Sequence, residues 1–179
     1  CKTSGTTSGA KYIPITKQSM PNHIHSARNA LLSYIDGSNE AGFVDGKMIF
    51  LQGSPEMESE NGIPIGRLSG IVAHHVPQYL QKNRMPSYEV NCIDDWESKV
   101  DAIVDETINE NITSLVGVPS WMLVLLNRVL ERTGKNNILE VWPNLEVYFH
   151  GGVNFNPYRE QYKKLIPKKS FQYYEIYNA

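Results

Sequence analysis

A chain of 179 residues with 41% hydrophobic and 20% charged side chains is long enough to bury a core and has the composition of a single globular domain. Its formal net charge of −2 excludes the basic footprint of a nucleic-acid or anionic-membrane binder, and no apolar run approaches the roughly 20 residues of a membrane-spanning helix. Two cysteines, Cys1 and Cys92, exclude a disulfide framework and suit a reducing cytoplasm.

The first element is a loop, Thr3-Ser4-Gly5-Thr6-Thr7-Ser8-Gly9-Ala10-Lys11. Its glycines let the backbone turn tightly, and its hydroxyls and successive N–H groups can surround an anion, with Lys11 adding a positive charge. Phosphate is the ligand that most needs such a site. The spacing from Gly5 through Gly9 to Lys11 is too short for a Walker A loop. A flexible Ser/Gly linker is the alternative for this composition. The threonines Thr3, Thr6, Thr7 and Thr16, the lysine, and the apolar run Tyr12-Ile13-Pro14-Ile15 favour phosphate binding.

Met20-Pro21 opens a helix with proline at its tolerated first position, and Ile24, Ala27, Leu31 and Ile35 share one face before Asp36-Gly37 ends it. Residues 47–52 read as a strand, and Gly53 to Gly66 as a long loop. Asp94 and Glu97 have capping-box spacing at the head of a helix with Trp96, Val100, Ile103 and Ile108 on one face. A buried strand follows from Ile112 to Val116. Gly117-Val118-Pro119 leads into a third helix with Trp121, Leu125 and Val129 on one side and Gly134 as its stop. Leu145 to Phe149 is a strand ending at His150-Gly151-Gly152, and a helix over 157–165 precedes a closing strand. Strands alternate with helices, so the fold class is α/β, with three layers and a mostly parallel sheet flanked by helices. Ligands of such sheets bind beyond the carboxyl ends of the strands, where His150-Gly151-Gly152-Val153 and Tyr177-Asn178-Ala179 both fall.

Arg67, following a glycine-rich stretch, is a candidate for a bidentate contact with a substrate carboxylate; an ordinary exposed arginine is the alternative. His150, at a strand end, is expected to be satisfied by hydrogen bonds. Lys163-Lys164 and Lys168-Lys169 read as a solvated helix end. His23, His25, His74 and His75 lack zinc spacing, so no metal ligand is assigned in this chain. No Gly-x-Ser-x-Gly elbow marks a serine hydrolase.

The loop resembles the signature of the adenylate-forming superfamily of acyl-CoA synthetases, peptide-synthetase adenylation domains and luciferases. Its continuation, Lys11-Tyr12-Ile13-Pro14-Ile15-Thr16, is most similar to the Gretchen Hagen auxin-responsive family of acyl acid-amido synthetases. It departs from that pattern in having Ser8 where many relatives have glycine, and in a shorter Gly9-to-Lys11 stretch. The resemblance implies that Thr3 to Gly9 and Lys11 bind the phosphates of ATP, with Lys11, Thr6 and Thr7 stabilising the transition state. It implies that Gly151, Gly152 and Val153 lie against adenine and ribose. Tyr177-Asn178-Ala179 resembles the start of the family's Tyr-x-x-Ser-Glu motif, whose tyrosine stacks on adenine. The step through Val118, Pro119 and Trp121 is similar to the one preceding the acyl pocket, with core packing of Trp121 as the alternative.

The implied reaction is attack of a carboxylic acid on ATP with Mg²⁺, giving an acyl-adenylate, then amide formation with an amino acid or another amine. A phenylacetate-type acyl-CoA ligase and a non-catalytic nucleotide-binding module are the alternatives. The chain begins at Cys1 and stops inside the resembled motif. The expectation is therefore a central piece, residues 1–179, of one adenylating domain truncated at both ends and inactive alone.

Overall fold

The computed structural model describes residues 1–2, 11–77 and 81–176. Its centre is a sheet of five strands in the order β4-β1-β5-β6-β7: β1 Lys47–Phe50, β4 Arg84–Met85, β5 Ile112–Gly117, β6 Val147–His150 and β7 Gln172–Glu175. Every neighbouring pair is parallel, so all carboxyl ends share one edge. The central strand β5 and its neighbour β6 carry the most deeply buried runs, as expected where helices cover both faces.

One face is covered by α4 (Trp96–Thr107), α5 (Pro119–Thr133) and α6 (Arg159–Leu165). Val100, Ile103 and Val104 of α4 and Met122, Leu125, Leu126 and Val129 of α5 are fully buried there against Ile49, Leu115 and Tyr148. The buried α5 positions follow helical spacing, which is why this helix packs by one stripe. Trp121, expected on that stripe, is 38% exposed and lies against Trp96, with ring centres 5.3 Å apart. Arg128 ties the two helices at the surface, reaching Glu97 and Asp101 at 2.7 Å each. Trp142, also fully buried, satisfies its indole N–H on the Thr107 carbonyl at 3.0 Å.

The other face carries a smaller cluster. Tyr34 of α1 (Met20–Ser38) and Phe43 pack edge-on around Phe149. Within α1 only Met20, at its start, and Tyr34 are buried, and Leu31 and Ile35 pack beside Tyr34, so most of the helix's contact with this cluster comes from its second half. The helix continues through Asp36-Gly37, where its end was expected, and stops at Asn39 in the left-handed conformation (φ 56°). Asparagine tolerates that conformation and closes the helix.

Other details add to the sequence-based expectation or differ from it. The cap of α4 is Asp95, whose carboxylate accepts the Ser98 N–H at 2.8 Å, not Asp94. The stretch read as one long loop contains an antiparallel hairpin, β2 (Glu58–Glu60) and β3 (Ile63–Ile65). Its turn residues Asn61 and Gly62 have φ of 52° and 78°, the pair of left-handed residues that a tight two-residue hairpin needs. Two short helices, α2 (Leu68–Ala73) and α3 (Tyr88–Asn91), also lie in segments without helical periodicity. Lys163 and Lys164 are exposed in the last turn of α6, as expected, with Lys163 meeting Glu160 at 2.7 Å; Lys168, past the helix, is half-buried and donates to the Leu145 carbonyl at 2.9 Å. Among the described residues no helix is long and apolar enough to cross a membrane.

Candidate functional site

The carboxyl edge of the sheet gathers the candidate groups. Gly117, His150 and Glu175 form one row across β5, β6 and β7. Beyond it, the Ile176 N–H donates to the His150 carbonyl at 2.7 Å. A side chain at Gly151 would overlap the Ile176 carbonyl oxygen, so only glycine lets the two strand ends lie this close. Gly152 has φ of 83°, and a Cβ there would stand 3.4 Å from Val118 Cγ2. The β6 turn and the β5-to-α5 step are thus brought together. Gly152 and Val153 are exposed, leaving that turn open to solvent.

Buried tyrosines hold the step in place. Tyr148 donates to the Gly117 carbonyl at 2.9 Å, and Tyr162 to the Pro119 carbonyl at 2.8 Å. Their rings stack at 5.1 Å. Burial pushes both hydroxyls well above the ordinary tyrosine range, so they remain protonated donors. Val118 is half-buried, Pro119 is buried, and Trp121 stands at the surface end of the helix that follows.

His150 departs from expectation. It is 4% exposed, its ring stacks on Phe155 at 4.1 Å, and its Nδ1 has no hydrogen-bond partner among the described residues. Burial pulls its pKa below the ordinary imidazole value; Glu175 opposes that shift and Arg159 adds to it. Its position is set by stacking on an aromatic ring rather than by hydrogen bonding.

The phosphate-loop candidates Thr3, Ser4, Gly5, Thr6, Thr7, Ser8 and Gly9 lie outside the described residues, as do Tyr177, Asn178 and Ala179. The flanks of the loop are described. Lys2 pairs antiparallel with Tyr12, and Ile13 N–H donates to the Cys1 carbonyl at 2.8 Å. Lys2 N–H donates to the Gly66 carbonyl at 2.8 Å, which seats this stem beside Arg67. Lys11 is exposed. The stem of Arg67 lies against Gly53, where a Cβ would come within 2.9 Å of its Cδ. Gly53 follows β1, so the loop stem and Arg67 also belong to the carboxyl edge.

The sequence reading missed Arg84. It lies in β4 with its guanidinium 4.6 Å above the Phe50 ring centre and donates to Gln52 Oε1 at 3.4 Å. A strand of two residues has no periodicity to reveal it. Nearby, a hollow of about 490 Å³ is lined by Ser54, Glu56, Met57, Glu58, Tyr88 and Asp94. A second hollow of about 400 Å³, beside Asp45, Asn111 and Glu146, lies at the amino edge, away from all candidate groups. Among the described residues no group of three His, Cys, Asp or Glu side chains could hold a metal ion.

A family model described as the GH3 family N-terminal domain matches residues 1–92 and 68–171. No curated protein and no solved structure matches the chain.

Proposed function

The chain belongs to the GH3 family, the Gretchen Hagen 3 group of acyl acid-amido synthetases among the adenylate-forming enzymes, and on that premise we propose that it is the central part of one adenylating domain. The full-length protein activates a carboxylic acid with ATP to an acyl-adenylate and then forms an amide with an amino acid or another amine in the cytoplasm. The observation that carries the reading is the gathering of the Gly151-Gly152 turn, the Val118-Pro119 step and the base of the hydroxyl-rich loop at one edge of a parallel sheet. Such an edge is where parallel sheets bind ligands.

In this reading Thr3, Ser4, Gly5, Thr6, Thr7, Ser8, Gly9 and Lys11 bind the phosphates of ATP. Lys11, Thr6 and Thr7 aim positive charge and hydroxyl donors at the α-phosphate as the acid's carboxylate attacks it. Donors fixed in advance stabilise developing charge without reorganising during the step. Gly151, Gly152 and Val153, with Tyr177, Asn178 and Ala179, hold adenine and ribose. Val118, Pro119 and Trp121 wall the acid, and Arg67 meets its carboxylate. Mg²⁺, when bound, neutralises phosphate charge, and no residue of this chain is assigned to it.

The test is acid-dependent exchange of labelled pyrophosphate into ATP by the full-length protein. Exchange is expected with wild type, and about 10²–10³-fold less with Lys11→Ala or with Thr6→Ala/Thr7→Ala, the usual cost of removing a transition-state donor. Undiminished exchange in both variants makes the loop a spectator. No exchange across a broad acid panel points to a non-catalytic nucleotide-binding module, and transfer to coenzyme A in place of an amine points to a thioester ligase.

A further inference from the structure

Arg84 is held beside Met48 in the two-residue strand β4. A guanidinium carries five N–H donors. Among the described residues this one makes a single hydrogen bond, the 3.4 Å contact to Gln52 Oε1, which is long for a charged donor. None of the ion pairs among those residues includes it. Burial pulls its pKa below the ordinary guanidinium value, and no neighbouring carboxylate offsets the shift. Arg84 is half-buried, and none of its guanidinium nitrogens is sealed from solvent without a partner, so its remaining donors stay open to a ligand while the Phe50 ring supports the cation from one side.

Its location says what would complete it. Gln52 is 6% exposed and lies two residues past Phe50, the last paired residue of β1, at the carboxyl edge. Gly53 comes next, with Arg67 lying on it. The unused donors therefore belong to the edge that collects the candidate ligand-binding groups. A planar fork of N–H donors matches a carboxylate in shape and charge.

We propose that Arg84 receives the carboxylate of an organic acid bound at this edge, with Gln52 positioning the guanidinium and Phe50 forming its floor. The proposal rests on the acid-activating reading above and deepens it. Two ligands of such an enzyme carry this chemistry: the acid to be activated, and an amino-acid acceptor.

The experiment compares thermal unfolding of full-length wild type, Arg84→Gln and Arg84→Lys in two matched pairs of probes, benzoate against benzamide and glycine against glycinamide. Each pair differs in the carboxylate and little else. In wild type the carboxylate member of one pair is expected to protect more than its amide. In Arg84→Gln the half-protecting concentration should rise about tenfold or more, the usual effect of losing a charged hydrogen bond. Arg84→Lys should fall between, because it keeps the charge and loses the fork. A response to benzoate assigns the activated acid, and a response to glycine assigns the acceptor.

A carboxylate advantage unchanged in Arg84→Gln, or absent from wild type, overturns the proposal. So does loss of protection by pyrophosphate alone. Should Arg84→Gln fail to fold, an unchanged half-protecting concentration in Arg84→Lys overturns it. Pyrophosphate exchange by the same wild-type preparation separates the two readings: its absence defeats adenylation, while the probe pairs still judge Arg84.

Discussion

At the scale of single residues, the carboxyl edge depends on side chains that are missing or unusually placed. The Ile176 carbonyl occupies the space a Cβ would need at Gly151, and moving it means moving the end of β7. Gly151→Ala should therefore destabilise the fold by about 1–3 kcal/mol, the range for forced overpacking, as read by chemical denaturation. A neutral result would mean that the strand ends separate at little cost. His150 supplies a second test. Its folded pKa lies below the ordinary value of 6.5 because burial disfavours the imidazolium. Below that value the unfolded chain binds the proton more readily, so His150 contributes stability that is full above it and lost as the pH falls. His150→Phe keeps an aromatic ring against Phe155 and should lose less stability than wild type between about pH 7 and pH 5. Parallel pH profiles for the two proteins would show that burial of the imidazole carries no such linkage.

At the scale of elements, local chemistry decided where helices stop and where the chain turns. Gly37 lies within α1 rather than past its end, with nothing within 4 Å of the position a Cβ would take. Gly37→Ala is therefore expected to raise stability by about 0.4–1 kcal/mol, since alanine narrows the unfolded ensemble and strains nothing here. Destabilisation in the same denaturation assay would mean that the helix needs glycine at this point. Asn39 was the better stop signal, because asparagine takes the left-handed conformation at modest cost. Asn61-Gly62 was likewise a readable hairpin signal inside a stretch dominated by acidic and small residues.

At the scale of the whole molecule, protection should follow the layers. β5 and β6 have ladder partners on both sides and lie between the two helical faces. The first half of α1 rests on little beyond Met20. Amide hydrogen exchange should accordingly be slowest in β5 and β6 and much faster in residues 21–30 of α1, because opening the central strands approaches global unfolding. Equal protection in both would show that α1 is anchored by more than the Tyr34 cluster.

The amino-acid sequence by itself determined the alternation of strands and helices, and with it the α/β class and the parallel sheet, because hydrophobic period and capping residues act within a few residues of themselves. It also carried Gly151-Gly152 and the Gly117-Val118-Pro119 step, since glycine and proline restrict the backbone locally. Four features were decided only by the tertiary structure: the order β4-β1-β5-β6-β7, the nearness of Val118 to Gly152, the stacking of His150 on Phe155, and the place of Arg84 over Phe50. Each joins residues from different strands or loops, and no local pattern encodes them. They exist because burying both faces of one sheet forces those segments to a common edge.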